Sequence, residues 1–207
     1  MVEILHPTIA EKLINIHALK INTQDPFIWS SGIESPIYCD NRLTMSYPEV
    51  RRLIAKAFAW KIDRNKIDVI AGCATAGIPH AAFVSEQLNL PMIYVRSKPK
   101  GHGLENMIEG HVNEGGRVVV IEDLISTGQS AIKAAQALRD QGFHVEKVLS
   151  IFTYGLKEAK DNFEQVALKY ESLVTFDDVV SVLVKQGELT EREQEGLLNW
   201  RNALILK

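Results

Sequence analysis

Four compact apolar runs recur through the middle of the chain, at Asp68–Cys73, Met92–Val95, Val118–Ile121 and Val148–Phe152. They are rich in Val and Ile and show little alternation of apolar with polar positions, which is the pattern of parallel strands covered on both faces. Helical patterning fills Pro79–Leu88 and Ser130–Gln141, with Gly142 placed to cap the second. Strand–helix–strand order predicts right-handed crossovers and an α/β fold: an open, twisted, mainly parallel sheet flanked by helices. Ligands in such sheets bind beyond the carboxyl ends of the strands. The loops after Cys73, Val95, Ile121 and Phe152 are therefore where chemistry is expected.

The flanks read differently. Thr8 and Glu11 have capping-box spacing, which predicts a helix over about 8–20. From Asn22 to Asn41 the chain is broken by Pro26, Gly32 and Pro36, while Phe27-Ile28-Trp29 and Pro36-Ile37-Tyr38-Cys39 look extended; a hairpin or strand pair outside the main sheet is expected. Pro48 opens a further helix whose apolar face is Val50, Leu53, Ile54, Ala57 and Phe58. Toward the C-terminus no further strong strand is evident. Phe176–Lys185 and Thr190–Trp200 read as helices, each with a capping pattern, Thr175 with Asp178 and Thr190 with Glu193.

The length of 207 residues suits one α/β domain. A formal net charge of −3 gives no global attraction to nucleic acid or an anionic membrane. Cys39 and Cys73 have no CxxC or Cys/His partner and read as reduced thiols. The first residues lack the basic and apolar regions of a signal peptide, and no apolar run approaches the roughly 18 residues of a membrane span. A cytoplasmic protein is expected.

The most informative stretch is Val118-Val119-Val120-Ile121-Glu122-Asp123-Leu124-Ile125-Ser126-Thr127-Gly128-Gln129-Ser130. A buried strand runs into two acids, then a small polar turn, then a helix. Backbone N–H groups of Ser126 to Ser130 at a helix N-terminus suit a phosphate dianion. Gly128 permits close approach, and the hydroxyls of Ser126, Thr127 and Ser130 add donors. Two carboxylates beside a phosphate make sense if they face sugar hydroxyls or a magnesium ion. A capped helix alone would not account for Glu122-Asp123. No GxxxxGK[ST] sequence is present, and Gly101-His102-Gly103 fails as a dinucleotide fingerprint because Asn stands at 106. The stretch resembles the signature of the phosphoribosyltransferases, enzymes that bind 5-phosphoribosyl 1-pyrophosphate (PRPP). That resemblance implies PRPP contacts along Glu122, Asp123, Leu124, Ile125, Ser126, Thr127, Gly128, Gln129 and Ser130.

Two further segments narrow the resemblance to the orotate phosphoribosyltransferases. Arg96-Ser97-Lys98-Pro99-Lys100-Gly101-His102-Gly103 carries three cations and a histidine and reads as a loop. It resembles that family's flexible catalytic loop, which implies catalytic roles for Arg96, Lys100 and His102, with Asp123 beside them. Many members have Lys where this chain has Ser97. Ser30-Ser31-Gly32-Ile33-Glu34-Ser35-Pro36-Ile37-Tyr38-Cys39-Asp40-Asn41-Arg42 resembles the family's base-recognition segment. Tyr38 has the ring to stack on a pyrimidine, Arg42 the fork to hold a carboxylate, and Ser126 is a third candidate orotate contact. Gly72-Cys73-Ala74-Thr75-Ala76-Gly77 resembles the pyrophosphate loop, with Thr75 and Ala76 as PRPP contacts. Many members carry Tyr-Lys at that pair, Lys at Ser30, and Arg near Thr153-Tyr154-Gly155.

The resemblance implies orotate and PRPP as substrates, Mg2+ held mainly by PRPP near Asp123 rather than by direct protein ligands, and a homodimer whose catalytic loop is shared between subunits. It also implies a hood subdomain formed by about residues 1–45 and 170–207 over a core of about 46–169. A transferase for a purine base is disfavoured because a purine needs no carboxylate partner at Arg42. A nucleic-acid-binding sensor of the same fold is disfavoured by the net charge and the retained loop.

Overall fold

The computed structural model describes residues 2–28, 34–98, 107–111 and 115–204. Its elements in chain order are α1 (Val2–Asn15), β1 (Leu19–Ile21), β2 (Phe27–Ile28), β3 (Glu34–Ser35), β4 (Ile37–Cys39), a 3-10 helix (Asn41–Ser46), α2 (Pro48–Trp60), β5 (Val69–Cys73), α3 (Gly77–Leu88), β6 (Met92–Val95), β7 (Ile108–Glu109), β8 (Arg117–Ile125), α4 (Gln129–Asp140), β9 (His144–Thr153), α5 (Lys157–Gln165), β10 (Tyr170–Thr175), α6 (Phe176–Lys185) and α7 (Glu191–Ala203).

The main sheet has six strands in the order β10-β9-β8-β5-β6-β7. Every pair is parallel except β6 with the short β7. Two apolar layers cover its faces, as the unalternating runs imply. On one side Ile70, Val119, Ile121 and Leu149 pack with residues of α1, α2, α3 and α6. On the other, Val69, Ala71, Val118 and Val120 pack with Ala131, Ala134, Ala135 and Leu138 of α4 and Phe163 of α5. Val118 to Ile121 are wholly buried because β8 lies at the centre of both layers. Burial of such a side chain contributes about 1.5–3 kcal/mol.

Several local expectations hold in detail. Pro48 occupies the first turn of α2. Gly142 adopts φ +81° just past α4 and its N–H donates to Arg139 O, closing the helix. Thr175 with Asp178 and Thr190 with Glu193 form reciprocal capping boxes on α6 and α7. The region before Asn41 forms two small antiparallel pairs, β1–β4 and β2–β3, outside the main sheet.

Two expectations are corrected. Thr8 lies inside α1, which starts at Val2 and ends at Asn15 rather than running from 8 to 20. The chain turns at His17, φ 58°, where His17 N–H donates to Ile14 O and Ala18 N–H to Leu13 O. That closure frees Leu19–Ile21 to pair with β4. Second, Tyr170–Thr175 is a true strand at the sheet edge, parallel to β9. Its run of Tyr-Glu-Ser-Leu-Val-Thr is half polar, because an edge strand is covered less completely than a central one. The terminal helices do meet: α1 and α6 share one apolar cluster, and Trp200 of α7 lies 6.2 Å from the Phe176 ring.

The start of α3 is pressed against β8. A Cβ at Gly77 would collide with the Ile121 carbonyl oxygen, and one at Gly72 would stand 2.8 Å from the Ile78 Cα. Gly196 in α7 has nothing within 4 Å of its would-be Cβ. Gly77→Ala is therefore expected to destabilise by about 1–3 kcal/mol through overpacking, whereas Gly196→Ala should stabilise by up to about 1 kcal/mol through helix propensity. Paired thermal melts check the contrast, and equal shifts would contradict it.

Candidate active site at the carboxyl ends of the central strands

The site begins where one strand stops before its neighbour. β5 pairs with β8 only as far as Gly72 opposite Ile121, then turns away into the Ala74–Ala76 loop and α3. β8 continues beside β9 to Ile125 opposite Thr153. Glu122 and Asp123 sit on this overhang. The Asp123 N–H donates to the Glu122 carboxylate at 2.9 Å, and the Asp123 carbonyl accepts from the Asn41 side-chain amide at 2.7 Å. Side chains thus satisfy backbone groups that β5 has left without a ladder partner.

Beyond Ile125 the chain turns through Ser126 and Thr127 into α4. Its N-cap is Gly128 at φ +81°, and no side chain caps the helix. The first N–H groups of a helix have no carbonyl of their own, so this end is open to an anion. Glycine is required at 128 twice over, for its positive φ and because a Cβ would strike the Phe163 ring. Phe163 stacks on Tyr170 at 4.3 Å, and Asn162 donates to Thr127 O at 3.0 Å, so α5 braces the turn from behind. On the other side, Thr153 donates to Ile125 O at 3.1 Å.

The Ala74–Thr75 peptide is cis. Ala74 N–H donates to Val95 O at 2.9 Å, which ties this loop to the end of β6. A cavity of about 310 Å3 opens between Cys73–Ala74, Val95–Ser97 and the first turns of α4. Arg96 lines it and pairs with Glu109 across β6 and β7 at 3.3 Å. Lys133 of α4 lines it too, its amine donating to Ser97 O at 3.2 Å. Of the four loops singled out from sequence, those after β5 and β6 line this cavity together with the first turns of α4, while Glu122, Asp123, Ser126 and Thr127 do not. Lys100, His102 and Ser30 lie outside the described residues.

A model of the phosphoribosyl transferase domain matches residues 45–184. An orotate phosphoribosyltransferase of Oceanobacillus iheyensis is 54% identical over 97% of this chain and 100% of its own length. The chain belongs to the orotate phosphoribosyltransferase family. Solved structures agree on the fold. The orotate phosphoribosyltransferase of Aeropyrum pernix superposes with a TM-score of 0.74 at 28% identity, covering 88% of this chain and 99% of that one. UMP synthase of Leishmania donovani gives 0.78 at 28% identity, covering 94% of this chain and 42% of that longer one.

Of the segment expected from sequence to recognise the base, the described part, residues 34–42, meets Asp123 through Asn41. Tyr38 is half exposed and rests against Phe27, ring centroids 5.7 Å apart. Arg42 is 64% exposed and already forks onto Asp40, at 2.6 and 2.9 Å. That fork holds the Asp40 carboxyl below its ordinary range. Burial, then the charges of Asp123 and Asp40, push the Cys39 thiol up.

Glu122 and Asp123 are not equivalent. Glu122 is 6% exposed, and burial, followed by its contact with Asp123, pushes its carboxyl up to about 8, partly offset by a hydrogen bond with the Cys73 thiol. Asp123 is half-buried. Sequence reasoning set Asp123 apart as catalytic but did not foresee the raised carboxyl of Glu122. It also missed Lys133, a lone helix lysine with no local signal, and Asn41, whose partner is 82 residues away.

Glu122 titrates near 4.5 when unperturbed and about 8 in the fold. A raised carboxyl pKa means the fold binds the extra proton, so its benefit is complete below 4.5 and disappears as pH rises to about 8. Glu122→Gln keeps the acceptor for Asp123 N–H and abolishes this titration. The variant's melting temperature should fall less than the parent's between pH 5 and pH 9, while its transferase activity falls; parallel pH dependences would contradict the assignment.

Proposed function

We propose that the chain transfers the 5-phosphoribosyl group of PRPP to orotate, giving orotidine 5′-phosphate and pyrophosphate. The observation that carries this reading is the β8 overhang: two carboxylates at a strand end running directly into an uncapped helix N-terminus. Backbone N–H groups and hydroxyls from Ser126 to Ser130 would anchor the 5′-phosphate. Glu122 and Asp123 would take the ribose hydroxyls, and the Thr75–Ala76 loop would receive the pyrophosphate. The anomeric carbon is thereby set beside the base. As its bond to pyrophosphate breaks and the bond to orotate N1 forms, with loss of the N1 proton, negative charge grows on the leaving group. Arg96, Lys100 and His102 would stabilise that charge.

Among the described residues no group of three or more His, Cys, Asp or Glu side chains could hold a metal ion. The described residues therefore build no metal cage of their own. Two strand-end carboxylates fit an ion that arrives with the oxygens of PRPP, as Mg2+ does. Asp123 would hold it, and when bound it supplies charge neutralisation at the pyrophosphate.

On the base side, Tyr38 would stack on the pyrimidine and Ser126 would contact it. The Arg42 edge turned away from Asp40 would meet the orotate carboxylate. A homodimer sharing its catalytic loops, with a hood of about residues 1–45 and 170–207, completes the reading. A cytoplasmic location belongs to the same reading; among the described residues no helix is long and apolar enough to cross a membrane.

Orotate consumption, followed by ultraviolet absorbance with PRPP and Mg2+ beside parallel reactions with adenine, hypoxanthine, xanthine and uracil, tests this. Orotate alone should be consumed. Turnover of a purine would keep the phosphate site and overturn the roles of Tyr38 and Arg42.

A further inference from the structure

The interaction that joins the base-recognition segment to the acidic strand end is the hydrogen bond from Asn41 to Asp123. Asn41 is 1% exposed, and its amide nitrogen lies 2.7 Å from the Asp123 carbonyl oxygen. It is itself held. The Thr44 hydroxyl, on the next turn of the 3-10 helix, donates to the Asn41 carbonyl at 2.5 Å. A hydroxyl has one proton, so toward His80 Nε2, at 3.4 Å, Thr44 can only accept. His80 then carries its proton on Nε2. Its Nδ1 and the Asn41 Oδ1 are buried without partners among the described residues. Thr44 is wholly buried and His80 is 2% exposed.

An apolar contact between the 3-10 helix and α3 would leave no buried polar atom to satisfy, so the polar arrangement calls for a reason. The amide does what no apolar residue can: it fixes the strand edge that β5 has abandoned. With Glu122 holding the N–H and Asn41 the C=O, the Asp123 backbone has both groups bound, and the direction of its carboxylate is set.

We infer that Asn41 is a positioning residue, whose side-chain amide clamps the Asp123 carbonyl and so aims the Asp123 carboxylate at the ribose of PRPP. The inference rests on the reading of Asp123 as a ribose contact. Asn41 adjoins Arg42, so the direction of its kinetic effect is diagnostic. Asn41→Ala should lower kcat/KM for PRPP by about ten- to a hundred-fold, the scale of a small misplacement, with the orotate KM held within about twofold. Because Asn41 acts through Asp123, adding Asn41→Ala to Asp123→Asn should cost less than about a further twofold.

A full multiplicative loss in the double variant, or a raised orotate KM with PRPP kinetics intact, would overturn the role. If Asp123→Asn alone leaves PRPP kinetics untouched, the ribose assignment is what fails. Circular-dichroism melts confirm folding of each variant. Should Asn41→Ala not fold, Thr44→Val keeps the volume and removes only the hydroxyl beneath Asn41. It is read by the same two criteria, with a smaller PRPP defect expected and unchanged PRPP kinetics counting against the role.

Discussion

The candidate site of this molecule depends on where β5 stops. Paired along its whole length, β8 would be an ordinary central strand with its backbone consumed on both sides. β5 instead leaves the sheet after Cys73, and the last residues of β8 keep only β9 as a neighbour. An unpaired buried backbone group costs about 1–3 kcal/mol, so the overhang survives only because Glu122 and Asn41 bind the Asp123 N–H and carbonyl. The departure of β5 has a second effect. The loop it enters leads into α3, whose first residue presses on the Ile121 carbonyl and leaves no room for a side chain at Gly77. One strand ending brings the acid pair, the Ala74–Ala76 loop and the start of α3 to one place.

The opposite side of the overhang is fixed by a different kind of contact. The turn into α4 has no side-chain cap of its own. It is shaped from outside, by Phe163 against Gly128, by Asn162 on the Thr127 carbonyl, and by Thr153 on the Ile125 carbonyl. An anion site needs its donors held in place before the ligand arrives, since ordering them afterwards would consume binding energy. Leaving the helix end uncapped while bracing the turn behind it meets both needs. Glu122 shows the accompanying cost. Its burial beside Asp123 disfavours ionisation in the free protein, and groups displaced in this way cluster at functional sites.

Much of this was legible in sequence, and the reasons are specific. Runs such as Val118–Ile121 announce a strand buried on both faces because no polar position interrupts them. Glu122-Asp123 followed by Ser126-Thr127-Gly128 drew attention to the turn into α4 because it carries chemistry that a capped helix does not need. Tyr170–Thr175 escaped because an edge strand with a half-polar sequence lacks that signature, and the end of α1 was misjudged because its closure depends on His17 adopting a left-handed conformation. The raised carboxyl of Glu122 was hidden as well, since successive residues of one strand face opposite sides and meet surroundings that only the fold supplies. Asn41 could not be found at all from one sequence: its role lies in a contact across 82 residues.

The central claim is that the β8 overhang and the turn into α4 bind PRPP as one preformed site. Amide hydrogen exchange with and without PRPP and Mg2+, orotate being absent, tests it most directly. The account predicts added protection concentrated at residues 122–130, with little change in β9, β10 or the terminal helices. Unchanged exchange at 122–130 under saturating PRPP, or protection centred on another part of the molecule, would contradict it.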